Sequence, residues 1–128
     1  MRLLIDTQLV VKLLGQTLPK QNREIARYLA DPSATAFVSV ASLWEIAIKS
    51  RLGKLSLAIP LDDVAAFLKA IGLSLLSIEA SHAIAAVAPE PQTRDPFDRL
   101  LLAQCSVENL KLVTLDRALI SHPLALNW

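Results

Sequence analysis

The sequence predicts an α/β domain in which a short parallel sheet is covered by helices on both faces. Three observations carry this: brief apolar or β-branched runs, helical apolar spacing between them, and Gly or Pro at several of the joins. Residues 2–5, RLLI, form the first run and end abruptly at Asp6-Thr7, after which Leu9, Val10, Leu13 and Leu14 recur at helical spacing up to Gly15. Pro19 suits the first turn of a second helix, roughly residues 19–30, with Ile25, Ala26 and Leu29 as its inner face; Asp31-Pro32 ends it. Residues 35–40 are β-branched and aromatic and read as a second strand. Either Ser39 or Ser42 is placed to cap the helix that follows over ASLWEIAIKSRL, which Gly53 stops.

Pro60 and Asp62 open another helix through DDVAAFLKAIG, and LSLLSI from Leu73 is the third strand. Residues 79–88 are again helical, closed by Pro89 and Pro91. Pro96 begins a helix over FDRLLLAQCSVEN, KLVTL is the fourth strand, Asp116 starts a last short helix, and LALNW adds a short edge strand. Ligands of such sheets sit beyond the carboxyl ends of the strands. Asp6 follows the first strand directly and Asp116 follows the fourth, so both fall on that edge.

A length of 128 residues suits a single domain, residues 1–128, with its own core. The apolar fraction of 53% is high, yet there is no run of about 18 uninterrupted apolar residues, and MRLLIDTQLV places an acid inside what would be a signal core. Neither export nor membrane spanning is expected. Cys105 has no partner for a disulfide and lies in the apolar stretch LLLAQCSV, so it reads as a small buried hydrophobe in a reducing cytoplasm. With 13 Lys plus Arg against 12 Asp plus Glu, the chain does not bind nucleic acid by bulk charge; any such contact is local.

Eight of the acids stand among polar or turn residues, where solvent explains them. Asp6 in LLIDT, Glu45 in SLWEIAI, Asp98 in PFDRLLLA and Asp116 in LVTLDRALI are instead embedded in apolar sequence, where an unpaired carboxylate is costly. Asp98 precedes Leu101, Leu102 and Cys105 at helical spacing, and Glu45 shares a face with Ser42, Ile48 and Lys49. Gathering four carboxylates raises their pKa values by mutual repulsion, whereas a divalent cation keeps them ionised. An all-oxygen set without Cys or His suits Mg²⁺ or Mn²⁺ over zinc. Simpler roles compete: Asp6 and Asp116 each stand where an N-cap would, Asp98 sits at the positive end of its helix, and Lys49 is one turn from Glu45. Capping leaves Glu45, well inside its helix, unexplained.

The segments MRLLIDT, VSVASLWEIAIKSRLGKL, RDPFDRLLLAQ and LVTLD, in that order, make nearly the whole chain resemble PIN-domain ribonucleases, particularly the VapC-like toxins of bacterial toxin–antitoxin pairs. The resemblance implies a three-layer α/β/α sandwich with Asp6, Glu45, Asp98 and Asp116 around Mg²⁺, which Mn²⁺ can replace. It also implies hydrolysis of RNA phosphodiesters, a VapB-like antitoxin whose tail covers the acidic groove, and a homodimer. Two positions depart from the branch, which often has His and Trp after the opening Asp-Thr, where Gln8 and Lys12 stand here. The doublet in RDPFD leaves Asp95 beside Asp98 as a possible second contact; Asp98 is the residue assigned.

Thr7, Ser39 and Thr114 adjoin the acids and either bond them or serve as ordinary caps. Lys49, Arg94, Arg99 and Arg117 are near enough in sequence to hold phosphates, with local ion pairing or solvation the default for each. His82 and His122 have no triad partner, and Trp44 and Trp128 read as core or interface aromatics. Two other readings are weighed. A phospho-accepting receiver domain wants adjacent early acids and a late Lys after a strand; here the early acid is single and the late strand ends in TLD. A catalytically idle PIN-like module that binds RNA or protein would show loss of one acid, and all four are present.

Overall fold

Leu3, Leu4 and Ile5 are fully buried, an apolar run with no wet face, which is what a central strand of a helix-covered parallel sheet requires. They belong to β1 (Arg2–Ile5), which β2 (Thr35–Ser39) flanks on one side and β4 (Lys111–Val113) on the other, with β3 (Ser74–Leu76) beyond β2. All three pairings are parallel, and Leu4 lies opposite Phe37 of β2 and Leu112 of β4. The computed structural model describes residues 1–16 and 22–127.

Side chains alternate across a strand, so β1 feeds two cores. Leu3 and Ile5 pack with Leu9, Val10, Ile25 and Leu68 on one face of the sheet. Leu4 packs with Leu101, Leu102, Cys105 and Leu112 on the other. The first face carries α1 (Thr7–Leu14), α2 (Arg23–Ala30) and α4 (Val64–Ala70); the second carries α6 (Pro96–Glu108). Between them, α3 (Val40–Arg51) contributes Ile46 to one core and Ala41 to the other. The result is the three-layer α/β/α arrangement expected from the sequence. Each fully buried Leu or Ile contributes roughly 1.5–3 kcal/mol relative to exposure, so the two cores fix β1 from both sides.

Local signals behave as the sequence predicts at most joins. Ser39 Oγ caps α3 by accepting from Ala41 N, while Ser42, the other candidate, bonds Thr7 instead. Asn22 caps α2, and Gly53 leaves α3 in the left-handed region that glycine tolerates. Cys105 is fully buried and its thiol is pushed up to about 12 by that burial, as expected of a small hydrophobe. Pro19, the expected start of α2, and Trp128 lie outside the described residues.

Four expectations are corrected. The helix expected over residues 79–88 is only α5 (Ala80–Ile84), with Ala85 already extended. Ile84 is 84% exposed, so no apolar stripe is buried to propagate the helix. The helix through residues 62–72 begins as a 3-10 turn, Leu61–Asp63, before α4. After Asp116 there is one turn and no helix: Leu119 N and Ile120 N both donate to Asp116 O, but Leu119 is buried while Arg117, Ala118 and Ile120 are exposed. Residues 124–127 form a single parallel bridge, Leu112 to Ala125, rather than an edge strand.

Candidate active site

After β3 the chain crosses over β2 and β1 to place β4 on the far side of β1, so the strand order reverses between β1 and β4. A crevice forms at such a switch point beyond the carboxyl ends of the strands. Asp6 leaves β1 there. Its backbone N–H extends the ladder to Val113 O, and its side chain, on a residue only 3% exposed, accepts from Thr114 Oγ1 at 2.6 Å. The same hydroxyl accepts from Asp116 N at 3.0 Å, so Thr114 ties the ends of β1 and β4 together. Asp6 occupies the N-cap position of α1 but makes no side-chain cap bond, which removes the simpler reading of that residue.

Glu45 enters from α3 and is 6% exposed. Its Oε2 pairs with Lys49 Nζ at 2.5 Å, one turn along the helix. The Thr7 and Ser42 hydroxyls meet at 2.8 Å and fix α1 against α3 beside it. At the start of α6 the doublet divides its labour. Asp95 is the N-cap, accepting from Phe97 N at 2.8 Å, and Asp98 in the first turn accepts from Thr93 Oγ1 at 3.1 Å. Thr93 Oγ1 in turn accepts from Asp95 N at 3.2 Å. Asp116 Oδ1 accepts from Ala118 N at 2.9 Å, so this acid does make the local turn bond considered for it.

All four predicted acids line one cavity of about 320 Å³, and Asp95 lines it with them. Lys12 and Lys49 are the cationic side chains of the lining, and Gln8 stands among them. Burial pushes the Asp98 carboxyl up to about 7, helped by the charges of Asp95 and Asp6 and opposed by the Thr93 hydrogen bond. Burial likewise raises Asp6, although the Thr114 hydroxyl and the Thr7 backbone favour its charged form. Crowded carboxylates of this kind are the donor chemistry that a hard divalent cation takes, with no soft ligand present. Among the described residues, no three His, Cys, Asp or Glu side chains converge tightly enough to enclose an ion as they stand. The donor set fits such an ion; the conformation is one in which Glu45 answers to Lys49.

Other polar residues fall elsewhere. Arg99 is held away by Glu90 Oε1 at 2.6 Å and by the carbonyl of Thr93, the local pairing expected of it. Arg94 and Arg117 are exposed. His82 is buried, accepting from Glu79 N at 2.9 Å and meeting Glu108 at 2.8 Å, a structural role at the start of α5. Trp44 is not a core residue: it is 61% exposed and packs edge-on against Phe97 at 5.6 Å. Thr93 escaped sequence reading because it sits in a polar loop, TRDP, whose contact with Asp98 depends on the turn at Asp95.

These features define an α/β domain with an acid-lined cavity at the switch point of its sheet. The model of the PIN domain matches residues 3–123, and the chain belongs to the PIN domain family, whose members are generally nucleases that use divalent metal ions. Several solved structures share the fold, among them these two. VapBC2 from Rickettsia felis bound to a DNA fragment from its promoter superposes with a TM-score of 0.63 at 16% identity, covering 98% of this chain and 96% of that one. A toxin–antitoxin complex from Klebsiella pneumoniae gives 0.62 at 16% identity, covering 97% and 95%. A comparison with curated proteins finds no significant match. No helix among the described residues is long and apolar enough to cross a membrane.

The raised Asp98 carboxyl gives the metal-free protein a definite pH response. A group whose folded pKa, about 7, lies above its ordinary 3.8 binds its proton more tightly when folded, so its contribution to stability is present at low pH and is lost as pH rises through that window. Asp6 acts in the same sense. In excess chelator, Asp98→Asn is therefore expected to unfold at higher urea than the parent, by a margin that widens between pH 5 and pH 7.5. A margin that narrows over that interval contradicts the electrostatic description of the site.

Proposed function

We propose that the chain is a divalent-metal-dependent endoribonuclease, served by Mg²⁺ with Mn²⁺ as a substitute, and the toxin of a toxin–antitoxin pair. One observation carries this reading: Asp6, Glu45, Asp98 and Asp116 arrive from four different parts of the chain on a single cavity. Membership of the PIN family supports nuclease chemistry, and the resemblance of the acidic segments to ribonuclease toxins supports RNA as the substrate. The single domain spans residues 1–128 in this reading. An idle binding module is the less favoured alternative, because all four acids reach the cavity.

Asp6 and Asp98 are the principal metal ligands in this account, and Asp116 and Glu45 complete the set and orient the attacking water. A divalent ion supplies neutralising charge for the scissile phosphate and a lowered pKa for water. Thr114 and Thr93 aim the carboxylates of Asp6 and Asp98 through their hydroxyls. The apolar flank of the cavity, Val11, Ile46 and Leu55, limits water around the acids and strengthens each charge interaction there.

The two solved structures compared above are toxin–antitoxin complexes, which supports a VapB-like antitoxin as partner. Five carboxylates on one cavity would receive basic side chains from such a partner. The apolar fraction of 53%, with no membrane-spanning helix among the described residues, supports a homodimer, and sedimentation showing only monomer well above micromolar concentration contradicts it.

Cleavage of RNA in Mg²⁺ tests the assignment. Asp98→Asn is expected to lower it by roughly a hundredfold or more, since a ligand charge is lost at nearly constant volume. Asp95→Asn is expected to keep most of it, because Asn caps a helix about as well as Asp. If Asp98→Asn cleaves as well as the parent, the site is wrongly assigned.

A further inference from the structure

The Glu45–Lys49 pair is more than a helix-surface ion pair. Pairs one turn apart on an exposed helix are worth a few tenths of a kcal/mol and have freely solvated partners. Here one partner is 6% exposed and faces the acid-lined cavity, while the other is half in solvent, its side chain 48% exposed. The carboxylate is fixed in place by burial; the ammonium, on a four-carbon stem, is the member free to leave. Lys49 also lines the cavity, within electrostatic reach of Asp95 and Asp98. An ammonium so placed supplies positive charge where the carboxylates need it.

From this geometry we infer that Lys49 is a positioning residue: it is the resident counter-cation of Glu45, and a divalent ion entering the cavity takes its place at Glu45 Oε2. The inference rests on the metal-dependent reading of the site and adds a residue to it. The exchange puts a divalent charge where a single positive charge stood against Glu45, and the liberated Lys49 stays in the lining of the cavity. The pair therefore sets the threshold ion concentration at which the site assembles.

Titration calorimetry with Mn²⁺ alone, in the absence of RNA, tests this on the whole chain. Lys49→Met keeps the length of the stem and removes the charge, and is expected to bind Mn²⁺ about three- to tenfold more tightly than the parent, the range that an ordinary net hydrogen bond implies for a pair with one half-exposed member. Lys49→Arg should stay within about twofold of the parent because it preserves the pair. A general change of cavity charge would act whether or not Glu45 is present, so the decisive comparison is made in Glu45→Gln. There the added Lys49→Met substitution is expected to raise Mn²⁺ affinity by much less than in the parent, since only the weaker, longer-range effect of its charge on Asp95 and Asp98 remains. An unchanged affinity in Lys49→Met, or a gain that persists in full in the Glu45→Gln background, overturns the inference while the metal site stands. A parent that binds no Mn²⁺ overturns the metal reading itself and the inference with it.

Discussion

Burial of β1 on both faces is the constraint from which the rest of the molecule follows. Leu3, Leu4 and Ile5 have no exposed surface, and the next residue is a carboxylate on a residue only 3% exposed. A charge placed there has no route to solvent except the crevice beyond the sheet, and no relief except a partner. Thr114 supplies the first relief, and because the same hydroxyl receives the Asp116 N–H, the bond that steadies Asp6 also sets where the chain turns after β4. The cavity at the switch point is thus a consequence of how the central strand ends.

The other acids are brought to that cavity by different devices. Glu45 comes on a helix whose cap, Ser39 Oγ to Ala41 N, starts it directly at the end of β2. Asp98 comes in the first turn of α6, held at that depth by Asp95 as cap and by Thr93. Their crowding works against the charged state, as the raised Asp98 and Asp6 carboxyls record. Strain of this kind is tolerated where function requires it and is lifted by a hard cation. Lys49 meets the fourth acid, Glu45, from within the chain.

Much of this was legible in the sequence for a physical reason: a carboxylate among apolar residues is costly, so Asp6, Glu45, Asp98 and Asp116 stand out from the eight acids that solvent explains. The alternating strand and helix pattern likewise announced the parallel sheet, and the PIN resemblance in the acidic segments agrees with the family match. What the residues did not reveal depends on packing between distant segments. The turn after Asp116 looked helical because ALI follows it, yet only Leu119 finds the core. Residues 79–88 carry enough Ala and Ile to suggest a longer helix, but His82 is committed to Glu79 and Glu108, and Ile84 buries nothing. The partition of the RDPFD doublet into cap and cavity acid required the backbone course of the loop before α6.

The central claim, that the gathered carboxylates form a site for a hard divalent ion, meets its most direct test in unfolding midpoints measured at neutral pH across a Mg²⁺ titration. An ion that binds only the folded chain stabilises it by mass action, so the parent's midpoint should climb as Mg²⁺ passes its dissociation constant, while an Asp6→Asn, Asp98→Asn double variant should stay flat. A double variant that responds to Mg²⁺ as the parent does would contradict the account.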